Sequence, residues 1–312
     1  MSGTSTISDV ELIDVSLRDG LQDEPCLVSL AEKVVILEAL RDAHFGSIEV
    51  TSFVHPAWVP QLADAAAFVA ALPPGPRYSA LVLNRRGFDR AMKAFDVAAF
   101  ARGSYDLTFV VSASPRHAMA NNNRTIEESL VIFDDIAAAA LAAEVSLTAT
   151  IACAFGSPWD DEQIAPEDVA QITHRLHTAG ARRLTLADTV GLAQPEHVSR
   201  VVSAVKRKNP ETELALHLHD RIGVALQNID AALNEGVRIF EGALGGLGGC
   251  PFVPDAPGNV DLAALDAFLT SKGITTGLDA RALQRVSGVI RAALATAKPI
   301  APAPADQAEA RR

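Results

Sequence analysis

Glu213-Leu214-Ala215-Leu216-His217-Leu218-His219-Asp220 alternates leucine with other side chains through its centre. A period of two belongs to a β-strand, so the three leucines share one face and Ala215, His217 and His219 share the other. Side chains two apart on one strand face stand roughly 6 to 7 Å apart. That is close enough for two imidazole nitrogens to meet on one metal ion at about 2 Å each. A lone strand histidine is more often a hydrogen-bonded core residue, so the pair takes its meaning from whatever else reaches the same face.

Working outward, strands are expected at 11–17, 47–52, 77–83, 105–112, 145–154, 182–188, 213–219 and 238–243. Helical spacing of apolar residues marks helices at 29–43, 60–71, 88–95, 126–143, 166–179, 195–208, 223–235 and 262–271. Ser29 and Glu32 stand as a capping box at the first of these. Strand followed by helix, repeated eight times at spacings of about thirty residues, is the order of a (β/α)8 TIM barrel of the α/β class. A doubly wound sheet would want a glycine-rich dinucleotide fingerprint after an early strand, and Arg18-Asp19-Gly20-Leu21 is not one. Residues 278–297 read as an additional C-terminal helix. The domain plan is therefore a flexible leader over 1–10, one catalytic barrel with its extra helix over 11–297, and a proline- and alanine-rich disordered tail over 298–312.

The 312 residues, 49% of them hydrophobic, are enough for a large buried core. A formal net charge of -11 argues against nucleic acid as a partner. Cys26, Cys153 and Cys250 share no CxxC spacing and leave an odd count, which points to a reducing compartment and a cytoplasmic protein. The N-terminus lacks the pattern of a targeting peptide, and charged residues interrupt every long apolar run, so no membrane segment is expected.

A TIM barrel carries its active site at the C-terminal ends of its strands, so the residues that close each strand form one ring. The ring is polar: Arg18 and Asp19, Glu49 and Thr51, Asn84, Ser112 and Ser114, Cys153, Asp188, His217 and His219, then a glycine-rich loop ending in Cys250 and Pro251, and Asn259 beyond it. Glu49 lies opposite Ile48 and Val50 on its strand, and a carboxylate facing a barrel interior needs a cation or donors beside it. Asp19, His217, His219 and Asn259 offer two imidazole nitrogens and two oxygens, a set suited to six-coordinate Mg²⁺ or Mn²⁺ and unlike structural zinc, with Co²⁺ and catalytic Zn²⁺ left as alternatives. Four of the five residues before Cys250 are glycine, which fits a mobile lid carrying a thiol, or a small buried side chain in a tight turn.

Ser16-Leu-Arg-Asp-Gly-Leu-Gln-Asp-Glu24, Ile48-Glu-Val-Thr-Ser-Phe53, Trp58-Val-Pro-Gln61, His217-Leu-His-Asp220, Gly246-Leu-Gly-Gly-Cys-Pro251 and Gly258-Asn259 resemble the 3-hydroxy-3-methylglutaryl-CoA lyase family. That family belongs to the metal-dependent lyase and acyltransferase group of TIM barrels. The match runs in order from residue 11 to residue 275, and the Gly-Leu-Gly-Gly-Cys-Pro loop is specific to the lyases within the group. The resemblance implies a divalent metal held by Asp19, His217, His219 and Asn259. It makes Arg18 the substrate-polarising arginine and Cys250 the lid thiol, with Asp19 and His217 sharing the catalytic work. Gln22 and Asn84 would join Arg18 in binding substrate, and Glu49 and Asp188 would surround the centre.

The implied partner is an acyl-CoA, cleaved to acetyl-CoA and a keto acid such as acetoacetate by a homo-oligomer, a dimer or tetramer. Arg85, Arg86, Arg116 and Arg124 follow the third and fourth strands on the active face and are candidates for the CoA phosphates. The chain departs from the family pattern at Asp23 and Pro25, at Val82 to Gly87, and at Asp220-Arg221-Ile222-Gly223, all on the rim rather than at the metal. Two other readings remain: a condensing acyltransferase of the same group, such as an isopropylmalate or homocitrate synthase, and a metal-binding barrel without catalysis. The thiol loop favours the lyase.

Overall fold

The structure is a computed structural model that describes residues 8–249 and 258–300. Eight parallel strands close a barrel: β1 (Glu11–Asp14), β2 (Ser47–Ser52), β3 (Arg77–Val82), β4 (Tyr105–Ser112), β5 (Ser146–Ala152), β6 (Arg183–Asp188), β7 (Glu213–Leu218) and β8 (Ile239–Gly242). β8 returns to β1, with Ile13 beside Glu241, so no sheet edge is left open. The helices that follow the strands are α1 (Leu30–Asp42), α2 (Ala65–Ala70), α3 (Arg85–Val97), α4 (Pro115–Asn122), α5 (Ile126–Ala142), α6 (Pro166–Thr178), α7 (Pro195–Lys208), α8 (Ala225–Asn234) and α9 (Leu262–Ser271). A tenth helix, α10 (Ala280–Thr296), packs against α1 and α9. The expected (β/α)8 architecture with its additional helix is thus the observed one.

Alternation along each strand sorts the side chains. Outward residues such as Leu184, Leu186, Leu214 and Leu216 are buried against the helices in one continuous apolar core. The inward face is largely polar. Near its N-terminal end, Asp106 on β4 takes both Nε and Nη2 of Arg77, at 2.6 and 2.7 Å, and Arg182 at 3.2 Å. In the middle, Thr108 and Thr148 share a hydrogen bond of 3.0 Å. Near the C-terminal end, Thr185 donates to Glu241 at 2.7 Å.

The structure departs from the sequence expectations at identifiable places. β1 stops at Asp14, and residues 16–20 wind into a single π-helical turn that takes over the last two residues of the expected strand. The backbone amides of Arg18 and Gly20 both reach back to the Val15 carbonyl, and this widened turn replaces the ladder. The predicted helix over 60–71 splits into a short 3-10 turn, Pro60–Leu62, and α2. α3 begins three residues early because Asn84 accepts from the Gly87 amide and caps it. α4 was not expected, although Ser114 before Pro115 is a sound helix start, and the Ser114 hydroxyl accepts from the His117 amide.

At both ends, packing among the described residues extends past the expected boundaries. Asp9 accepts from the Thr275 amide at 2.9 Å and Val10 is buried, so ordered packing begins before residue 11. Lys298 and Pro299 pair antiparallel with Leu27 and Cys26, and the Ile300 amide donates to the Pro25 carbonyl at 2.9 Å. The chain leaving α10 thereby satisfies backbone groups that a free tail would leave to water. The rest of the expected tail, 301–312, lies outside the described residues. Among those residues, no helix is long and apolar enough to cross a membrane.

Candidate functional site

The π-helical turn after β1 sets two consecutive side chains into the C-terminal mouth of the barrel. Arg18 is buried, with Nε 2.5 Å from Glu49 Oε2 on β2 and Nη1 2.5 Å from Asp19 Oδ1. Glu49 therefore has the cation that its inward position demanded. Asp19 Oδ2 accepts from Asn259 Nδ2 at 2.8 Å and stands 3.8 Å from His217 Nε2. His217 and His219 project from the end of β7 with their Nε2 atoms 3.2 Å apart, and His219 pairs with Asn259 through an isolated antiparallel bridge. The four expected ligands, far apart along the chain, are brought together.

Several features show that these residues fit a cation. One ligand atom each from Asp19, His217 and His219 lies within 4.8 Å of the others, the one such group among the described residues. Asn259 Oδ1 is buried without a donor, an orphan carbonyl oxygen that a cation would satisfy. Two ring nitrogens facing each other at 3.2 Å are stable only with a proton or a cation between them. Gly248 makes room: its φ is +100°, and a Cβ there would lie 2.5 Å from Asn259 Nδ2 and 3.3 Å from Asp19 Oδ2.

The electrostatics follow from burial and neighbours. Burial works against ionising Asp19, but the charges of Arg18, His217 and His219 and the Asn259 hydrogen bond hold it well below the usual carboxylate range. Burial pushes His219 down to about 4, aided by His217, so its imidazole is neutral and able to ligate. His217 is drawn upward against its burial by the hydrogen bond to Glu241 and the charge of Asp19. Arg18 stays charged, because Glu49 and Asp19 outweigh the cost of burying it.

Glu241 was missed in the sequence. Its Oε2 lies 3.3 Å from His217 Nδ1 while its Oε1 accepts from Thr185. A carboxylate on Nδ1 fixes the ring and leaves Nε2 to face the metal position. The signal was present: Phe240 and Glu241 alternate as Ile48 and Glu49 do, which puts the carboxylate on the inward face. His117, on α4, is buried with Nδ1 3.1 Å from Ser112 Oγ at the end of β4, and burial pushes it down to about 4.

The remaining expected residues fall in different places. Asp188 accepts from the Gly191 and Ala193 amides, which shape the loop after β6, and it feels the charge of His217. Burial raises it to about 6 against the pull of those amides. Asn84 spends its carbonyl oxygen on capping α3, and Gln22 lies half-buried directly after the Arg18–Asp19 turn. Arg85 pairs with Asp89, Arg116 pairs with Asp161 and lies over the Trp159 ring, and Arg124 donates to the Leu83 carbonyl. Cys250 lies outside the described residues.

Comparison with known proteins agrees with this geometry. The mitochondrial hydroxymethylglutaryl-CoA lyase of Bos taurus is 36% identical over 287 residues, covering 91% of this chain and 86% of the bovine protein. The solved HMG-CoA lyase from Brucella melitensis has a TM-score of 0.85 at 37% identity, covering 92% of this chain and 99% of that one. An HMG-CoA lyase from Acinetobacter baumannii, solved in complex with coenzyme A and 3-methylmalate, has a TM-score of 0.85 at 34% identity and covers 95% of each chain. The family model described as HMGL-like matches residues 9–290, a span that holds the barrel, the π-helical turn and all four expected ligands. The chain belongs to the HMGL-like family.

Proposed function

We propose that this protein is a divalent-metal-dependent carbon–carbon lyase that cleaves 3-hydroxy-3-methylglutaryl-CoA, or a related branched 3-hydroxyacyl-CoA, to acetyl-CoA and a keto acid such as acetoacetate. The observation that carries this reading is the buried Arg18 guanidinium standing beside Asp19, His217 and His219 in the barrel mouth. Asp19, His217, His219 and Asn259 would hold Mg²⁺ or Mn²⁺, hard or borderline ions that accept this mixed nitrogen and oxygen set. When bound, the cation supplies Lewis acidity that lowers the pKa of the substrate's tertiary hydroxyl.

The protein's own groups account for the remaining steps. Asp19 and His217 are the candidate acceptors for the hydroxyl proton, and Glu241 keeps the His217 ring turned so that Nε2 faces the site. Breaking the bond between the alcohol carbon and the carbon next to the thioester releases a ketone and leaves an enolate. Arg18 holds the negative charge on the enolate oxygen, and Glu49 keeps the guanidinium aimed. By family resemblance, Cys250 returns a proton to the enolate carbon. By the same resemblance, Gln22 and Asn84 would contact the substrate.

The acyl-CoA partner is supported by the relative solved with coenzyme A. The same reading makes the protein a cytoplasmic homo-oligomer, a dimer or tetramer, and sedimentation of the purified chain tests that assembly. Among the described residues, Cys26 and Cys153 form no disulfide. The deciding experiment supplies purified protein with 3-hydroxy-3-methylglutaryl-CoA and Mg²⁺ or Mn²⁺ and identifies the products. Acetoacetate and acetyl-CoA that disappear on chelation are expected. A metal-loaded protein that leaves this substrate and its branched relatives intact but condenses acetyl-CoA with a 2-oxo acid would transfer the assignment to the acyltransferases.

A further inference from the structure

Ser16 is buried between β1 and the π-helical turn, and its hydroxyl is engaged on both sides. It donates to Asp14 Oδ2 at 2.7 Å and accepts from the Leu244 amide at 2.8 Å. Asp14 is also buried, and its other oxygen accepts from the Ser16 amide at 3.0 Å. Leu244 opens the segment after β8. Three residues further on, the Leu247 carbonyl accepts from the Asn259 amide at 3.1 Å and from Asn259 Nδ2 at 2.8 Å. That same Nδ2 donates to Asp19 Oδ2, and Asp19 lies three residues after Ser16.

These contacts close a ring: from Ser16 to Leu244, along the backbone to Leu247, across to Asn259, over to Asp19 and back along the turn. We propose that Ser16, aimed by Asp14, is a positioning residue that fixes Asp19 and Asn259 against each other and thereby sets the affinity of the metal centre. The inference rests on the reading of Asp19, His217, His219 and Asn259 as metal ligands. A hydroxyl has one proton and two lone pairs, so committing the proton to Asp14 turns a lone pair toward Leu244. Alanine at this position leaves a buried amide and a buried carboxylate oxygen unpaired. The segment holding Leu247 then relaxes, and the Asn259 carboxamide moves with it.

Calorimetric titration of the full chain with Mn²⁺ tests the proposal. Ser16→Ala weakens Mn²⁺ binding by about tenfold or more, the scale of losing a partner that orients a ligand, and Ser16→Thr, which keeps the hydroxyl, restores most of the affinity. Asp106→Asn, at the opposite end of the barrel, serves as the stability control and leaves Mn²⁺ affinity unchanged while lowering thermal stability. Should Ser16→Ala not fold, Asp14→Asn replaces the carboxyl partner of the same hydroxyl and weakens Mn²⁺ in the same direction. A wild-type chain that does not bind Mn²⁺ overturns the ligand reading itself. Wild type that binds, with Ser16→Ala or Asp14→Asn binding equally tightly, overturns the role of Ser16 alone.

Discussion

Arg18 enters the barrel mouth with two of its three nitrogens already held, Nε by Glu49 and Nη1 by Asp19. A guanidinium so fixed meets developing charge without rearranging, which is where electrostatic catalysis draws its strength. Replacing Arg18 with Met lowers kcat by about 10²- to 10³-fold, the scale of one lost oxyanion donor. Metal content stays near one per chain, so steady-state kinetics paired with metal analysis checks the expectation. Glu241→Gln has the opposite signature. It weakens the hold on His217 Nδ1, and competition with a chelator should show metal affinity lowered by about 10- to 100-fold. Arg18, Asp19 and the two histidines were legible as polar residues where the pattern demanded strand ends. Asn84 was legible as polar but not as a helix cap, because a cap depends on where the next helix starts.

The strands and most helices could be read because each buries a face with its own period, two for β and 3.6 for α. The turn over 16–20 could not, since its widened winding follows from where the Arg18 and Gly20 amides find an acceptor and leaves no apolar period. Nor could the pairing of Lys298 and Pro299 with Leu27 and Cys26, which joins segments about 270 residues apart. Between strands, the salt-bridge cluster at the N-terminal end carries its own prediction. Burial opposes ionisation of Asp106, but hydrogen bonds from Arg77 and Ser146 and the charge of Arg182 hold it below the ordinary carboxylate range. A depressed carboxyl stabilises the fold fully above its unfolded value and loses that contribution as pH falls through the folded one. Asp106→Asn therefore costs about 1.5 to 3 kcal/mol at neutral pH, the range for hydrogen bonds to charged groups. The gap to wild type narrows as pH falls below the unfolded aspartate value of about 3.9, and urea unfolding across that range measures it.

At the scale of the whole molecule, the ligands come from three widely separated stretches: the turn after β1, the end of β7 and the segment returning after β8. A cation shared among them binds the folded chain and not the unfolded one. Mn²⁺ at a hundred times its Kd adds about 2.7 kcal/mol to the unfolding free energy. For a chain of this size that raises Tm by several degrees, and excess chelator reverses it, as differential scanning fluorimetry would record. The barrel was predictable from the repeat, whereas its polar interior was visible only at single positions such as Glu49. The alternating residues had to be set in register before they formed one column.

That polar column has a consequence for how the molecule tolerates change. Buried ion pairs exchanged for well-packed aliphatic groups of similar volume often leave a fold as stable or more so. Heat resistance alone, used as a laboratory selection, would accept aliphatic side chains that replace Arg18 and Glu49 together. The survivors would be robust barrels that no longer turn over substrate, so any programme to toughen this protein has to screen for chemistry and endurance together.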